Sequence, residues 1–110
     1  MNKYHAKKTE VDGIRFDSLK EASRYHELKL LQRAGIIYDL KLQPEFELIP
    51  AFRKNGKTYR RTVYRADFSY FDKVNDTKVI EDVKGVRTAV YKLKKKLFEY
   101  KYPEYEIKEV

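Results

Sequence analysis

Between Val63 and Gly85 the chain reads VYRADFSYFDKVNDTKVIEDVKG. Two apolar runs, rich in β-branched and aromatic residues, flank the polar turn Asp72–Asp76, which is the pattern of a β-hairpin. Each run carries charge where a buried strand has none. Asp67 interrupts Val63–Phe71, and Glu81, Asp82 and Lys84 interrupt Val79–Val86. Side chains alternate along a strand, so Asp82 and Lys84 share one side while Glu81 and Val83 take the other. Once the two strands pair, Asp67 can approach Asp82 and Lys84, bringing two carboxylates and an ammonium onto one sheet.

With 110 residues the chain has enough length for one domain, spanning 1–110, and one core. An aromatic share of 15%, including ten tyrosines, argues against disorder and for amphipathic surfaces. Cysteine is absent, which removes disulfides and thiolate metal sites and fits a cytoplasmic location. The longest apolar runs fall far short of a membrane span, and Met1–Thr9 is basic and polar, unlike a signal peptide. A formal charge of +8 favours an anionic partner, nucleic acid or anything else acidic, and so sets a class rather than a function.

Elsewhere the local signals are turns and caps. Asp12-Gly13 predicts a hairpin joining Lys7–Val11 to Ile14–Phe16. Ser18 and Glu21 match a capping box opening a helix that runs to about Ala34, with Gly35 as its stop. Glu21, Tyr25, Leu28 and Gln32 share one side of that helix, and Leu19, Leu30 and Ala34 extend a broad apolar surface. Ile36–Leu42 reads as a strand broken by Gln43-Pro44, and Glu45–Pro50 as a half-exposed strand. Asn55-Gly56 predicts a second hairpin inside the basic cluster Arg53, Lys54, Lys57, Arg60 and Arg61, followed by strands over Thr58–Phe71 and Thr77–Val83. Val86–Tyr102 has helical periodicity, with Val90, Leu93, Leu97 and Tyr100 as its apolar stripe. Pro103 ends it, and Tyr105–Val110 alternates like an edge strand. The whole is an α+β domain.

Asp67 and Asp82 are ligands of the type a hard divalent cation prefers, and the Val83 carbonyl can add a third oxygen. Beside them Lys84 would position or deprotonate a water or stabilise a phosphorane-like transition state, and Gly85 would let a nucleic-acid backbone come close. The plainer alternative is a cross-strand ion pair on a solvated face. Glu21 has two readings of equal weight, a further metal ligand or simply the helix cap. Arg60, Arg61 and Lys57 on the second hairpin, and Tyr91, Lys94 and Lys95 on the second helix, are candidate DNA contacts; a solvated helix face is the commoner explanation of such lysines, and charged hairpin tips often serve only solubility.

Asp67 with Asp82-Val83-Lys84 resembles the acidic and (D/E)-x-K elements of the PD-(D/E)XK nuclease superfamily. The order helix, three-stranded meander, helix, strand is similar to its restriction-endonuclease-like core. Ser18-Leu19-Lys20-Glu21, Gln43-Pro44, Tyr64-Arg65-Ala66-Asp67-Phe68 and Glu81-Asp82-Val83-Lys84-Gly85 together resemble short phage and prophage proteins of the Holliday junction resolvase-like kind. Ala66 stands where the superfamily has proline. The resemblance implies a Mg²⁺-dependent endonuclease, with Mn²⁺ able to substitute, acting on branched or structured DNA in a bacterial host cell. It implies Asp67, Asp82, Val83 and Glu21 at the metal, Lys84 in the chemistry, and Glu81 in reserve should a bulge shift the register. Symmetric cutting of two strands would favour a homodimer. A non-catalytic DNA-binding module and a phage protein-interaction domain are the alternatives.

Overall fold

The computed structural model describes residues 9–83 and 87–110. Strands β1 (Thr9–Val11) and β2 (Ile14–Phe16) form the first hairpin, with Asp12 and Gly13 at φ 54° and 76° as a two-residue primed turn requires. Helix α1 (Leu19–Arg33) starts where Ser18 Oγ accepts the Glu21 amide at 3.1 Å, and Gly35 at φ 78° turns the chain away. Its buried face is Glu21, Ala22, Tyr25 and Leu28. The broader apolar surface does not form: Leu19 and Leu30 are 57% and 49% exposed. A helix lying on one sheet face buries only one stripe, and these two leucines fall outside it.

Strand β3 (Ile37–Leu42) follows, then β4 (Glu45–Ile49), β5 (Phe52–Lys54), β6 (Lys57–Tyr59), β7 (Thr62–Arg65), β8 (Phe68–Asp72) and β9 (Thr77–Asp82). The single strand predicted over Thr58–Phe71 is therefore three. The chain changes partner twice: β6 pairs with β5, β7 with β4, and β8 with β3 and β9. Local pattern cannot reveal such switches, because each piece is strand-like in isolation. The strand predicted over Thr77–Val83 forms as β9 and ends one residue sooner, at Asp82; Lys84 and Val86, the rest of the Val79–Val86 run, lie outside the described residues.

Helix α2 (Ala89–Lys101) is capped by Thr88, whose hydroxyl accepts the Tyr91 amide at 3.1 Å. Its buried residues are Tyr91 and Phe98, whereas Val90, Leu93 and Tyr100 are 64%, 55% and 87% exposed. The predicted stripe is thus one position off. Residues 90, 93, 97 and 100 and the pair 91 and 98 obey the same helical period, and the two large rings, with more area to bury, take the core. Leu97 packs at the edge of that cluster.

Strand β10 (Ile107–Glu109) completes a four-stranded sheet ordered β10-β9-β8-β3, antiparallel except that β10 runs parallel to β9. Phe68 and Tyr70 face α1 in a core with Phe16, Tyr25 and Leu28. Ile80 and Ile107 face α2 in a second core with Tyr64, Ala66, Tyr91 and Phe98. Leu28, Phe68, Ile80 and Phe98 are 0% exposed, each contributing about 1.5–3 kcal/mol by burial. A sheet with a helix-bearing core on each face thus sets Glu81 on the α1 side and Asp82 on the α2 side of the same strand.

Candidate active site

Asp67 sits where the chain leaves β7 for β8. Its amide bonds the Glu81 carbonyl at 3.1 Å, although Glu81 is paired with Phe68. Two consecutive residues against one is the arrangement of a β-bulge, which re-aims a side chain. The Asp67 carboxylate accepts the Val83 N–H on Oδ2 at 2.7 Å and so lies against the end of β9. Asp82, the preceding residue, is 1% exposed, and its Oδ2 accepts the Tyr64 hydroxyl. Burial raises the Tyr64 phenol well above the usual tyrosine range, the Asp82 bond adds to this, and the charges of Tyr91 and Asp67 act in the same direction. Asp67, distant in sequence, is thus brought to the end of β9, where the consecutive residues Asp82 and Val83 meet Tyr64 and Asp67 respectively.

Glu81 belongs to a different set. It is 0% exposed, and Arg24 of α1 grips it bidentately, Nε to Oε1 at 2.8 Å and Nη2 to Oε2 at 2.6 Å. Tyr70 donates its hydroxyl to the same Oε2. The Glu81 bond raises the Arg24 guanidinium above its ordinary value despite the opposing effect of burial. Burial first, and then the Glu81 bond, raise the Tyr70 phenol. Arg24 and Tyr70 escape a reading of motifs alone. The available signals are Arg24 one turn beyond Glu21, and Tyr70 diagonal to Glu81 once the register Phe68↔Glu81 is known.

Glu21 is 7% exposed on the sheet-facing side of α1, and its amide serves the Ser18 cap. Among the described residues no three acidic, histidine or cysteine side chains close into a group that could hold a metal ion, so Glu21 does not join Asp67 and Asp82 in one. Lys84 and Gly85 lie outside the described residues. The donors themselves, carboxylate and carbonyl oxygens, are of the type a hard cation takes. An ionised carboxylate accepts several bonds at once, so the Val83 amide and the Tyr64 hydroxyl can orient Asp67 and Asp82 without preventing a cation from binding the same groups.

The basic candidates fall on two surfaces. On α2, Tyr91 is buried and donates to Glu109 Oε2 at 2.6 Å, while Arg87 and Lys95 stand 2.9 and 3.7 Å from the same carboxylate. The Arg87 and Tyr91 bonds hold the Glu109 carboxyl down at about 2. Lys94 lines a groove of about 420 Å³ with Tyr64, Arg65, Thr88 and Tyr91, and so flanks the phenol that holds Asp82. Lys57, Arg60 and Arg61 lie on and just after the β5–β6 hairpin, where Lys57 covers the Tyr59 ring at 5.1 Å and Arg61 reaches Glu45 at 3.3 Å. Among the described residues no helix is long and apolar enough to cross a membrane.

No curated protein and no solved structure shows significant similarity to the chain. A family model does match it, over residues 1–110, and the chain belongs to that family, described as Protein of unknown function (DUF1064).

Proposed function

We propose that this chain is a Mg²⁺-dependent endonuclease of the PD-(D/E)XK type, acting on branched or otherwise structured DNA. The observation that carries the reading is the bond from the Val83 amide to Asp67, which draws an acid from the middle of the chain against the residue following Asp82. The order helix, antiparallel meander, helix, strand, with a helix-bearing core on each face of the sheet, supports it further.

In this reading Asp67, Asp82 and the Val83 carbonyl hold the cation, Mg²⁺ or Mn²⁺. When bound, the ion supplies neutralisation of phosphate charge. The chain's own residues supply position. Val83 fixes the Asp67 carboxylate and Tyr64 fixes that of Asp82. The Arg24–Glu81–Tyr70 set on the other face holds β9 so that Asp82, one residue on, faces α2. By resemblance Lys84 orients the attacking water, and Glu21 is an acid near the helix start that serves as ligand or cap. Lys94 and Lys95, with Lys57, Arg60 and Arg61, form the DNA-facing surface. The enzyme would act as a homodimer.

The test is purified protein with labelled four-way junction, flap, duplex and single-stranded DNA, with and without Mg²⁺ or Mn²⁺. Asp82→Asn should abolish cutting while DNA binding stays equal or tightens, since a negative charge near phosphate is removed. Equal cleavage by the wild type and this variant would overturn the assignment. Because no three-acid group closes among the described residues, a non-catalytic DNA-binding module is the second reading. It predicts binding to the same substrates with no cleavage under either metal.

A further inference from the structure

Between Pro50 and Arg65 the chain carries six cations, Arg53, Lys54, Lys57, Arg60, Arg61 and Arg65, and no acid. In the middle of this stretch β5 and β6 form a two-stranded sheet of their own, closed by Asn55 and Gly56 at φ 52° and 74°. Every residue of both strands is exposed, including Phe52 at 46% and Tyr59 at 39%. The register pairs Phe52 with Tyr59, Arg53 with Thr58 and Lys54 with Lys57. Alternation then puts Phe52, Tyr59, Lys54 and Lys57 on one face, with the lysines nearest the turn.

This face has an unfavourable charge pattern for a free hairpin. Like charges directly opposite each other destabilise a strand pair, and a lone two-stranded hairpin is marginal to begin with. Local devices offset that cost. The Phe52 and Tyr59 rings stack at 4.7 Å and 10°, and the Arg53 guanidinium bonds Thr58 Oγ1 at 2.8 Å and the Gly56 carbonyl at 3.2 Å, bracing the turn. What remains is an exposed, positively charged ribbon. Two strands about 4.8 Å apart, each about 10 Å long, suit a groove roughly 12 Å wide, the dimension of the B-DNA major groove, which admits a β-ribbon.

We propose that the ribbon Phe52–Tyr59 is a duplex-DNA arm that seats in the major groove, with Lys54 and Lys57 against backbone phosphates. The ribbon has its partner in common with the nuclease reading but none of its chemistry. The A-form major groove of double-stranded RNA is too deep and narrow for such an insertion, so duplex RNA is the discriminating control.

The experiment measures anisotropy of a short labelled DNA duplex with the full chain in EDTA, so that cleavage cannot enter, over a range of salt. RNA duplex of the same sequence and anionic lipid vesicles are run in parallel. For Lys54→Gln/Lys57→Gln the slope of log affinity against log salt should shrink by about 2, and DNA affinity near 0.1 M salt should fall tenfold or more. Lys54→Arg/Lys57→Arg should retain the wild-type slope, and thermal melting of neither variant should fall below the wild type, because both positions are exposed and the glutamines only relieve a like-charge pair. RNA affinity should be weaker and insensitive to the glutamine substitutions. An unchanged slope, an equal loss on RNA, or tighter binding to vesicles than to DNA would overturn the proposal. A failed cleavage assay would leave it standing.

Discussion

Replacing Arg24 by methionine strands a carboxylate in the protein interior. Glu81 is 0% exposed, and its two oxygens take the guanidinium at 2.8 and 2.6 Å, with Tyr70 as a further donor. Removing one partner of a buried ion pair costs about 3–5 kcal/mol, since the charge left behind has lost its water as well as its counter-ion. The Arg24 side chain keeps 18% exposure and Tyr70 still donates, so the lower end, about 3 kcal/mol, applies. Against a total of roughly 5–15 kcal/mol for a domain, that is a large share. In urea, with a slope of about 1–3 kcal/mol/M, the midpoint should fall by between about 1 and 3 M with the slope unchanged. Arg24→Met/Glu81→Met should recover much of the loss, because the buried charge goes with its partner. Recovery stays incomplete, since the neutral Tyr70 hydroxyl loses its acceptor, at about 1 kcal/mol, the lower end of the cost of an unsatisfied buried group. A loss below about 1 kcal/mol for the single variant, typical of an exposed pair, would refute the reasoning, as would a double variant no more stable than the single one.

Two further outcomes follow from packing and charge. Phe98→Ala should cost about 3–5 kcal/mol by chemical denaturation, whereas Leu93→Ala on the same helix should stay within about 0.5 kcal/mol; equal losses would mean that α2 buries the other face. Glu109, held at about 2 against its ordinary 4.5, contributes stability fully present above about pH 4.5 and lost as pH falls toward about 2. Melting temperature against pH should show that decline in the wild type and a shallower one in Glu109→Gln. Identical profiles would remove Glu109 as its source.

Short-range chemistry made much of the chain legible. Asp12-Gly13 and Asn55-Gly56 adopt the positive φ angles of tight hairpins, and Ser18 and Gly35 bound α1, because each outcome depends on residues within one turn of the chain. Strand parity, a property of the backbone alone, likewise separates Glu81 from Asp82. It cannot say what waits on either side. Arg24 meets Glu81 across 57 positions, and Tyr64 meets Asp82 across 18, so neither bond leaves a local trace. The face of α2 was ambiguous for a related reason: two stripes of one period compete, and the sheet accepts the one carrying Tyr91 and Phe98.

The amino-acid order by itself determined the turns, the caps, the element types and the strong positive charge, all consequences of backbone conformation and composition. Only the tertiary structure decided where one strand-like run divides into three strands with different partners, which helix face is buried, and that Asp67 rests against the amide next to Asp82. Those outcomes depend on which distant surfaces exclude water from one another, a quantity no stretch of sequence contains until the chain has closed on itself.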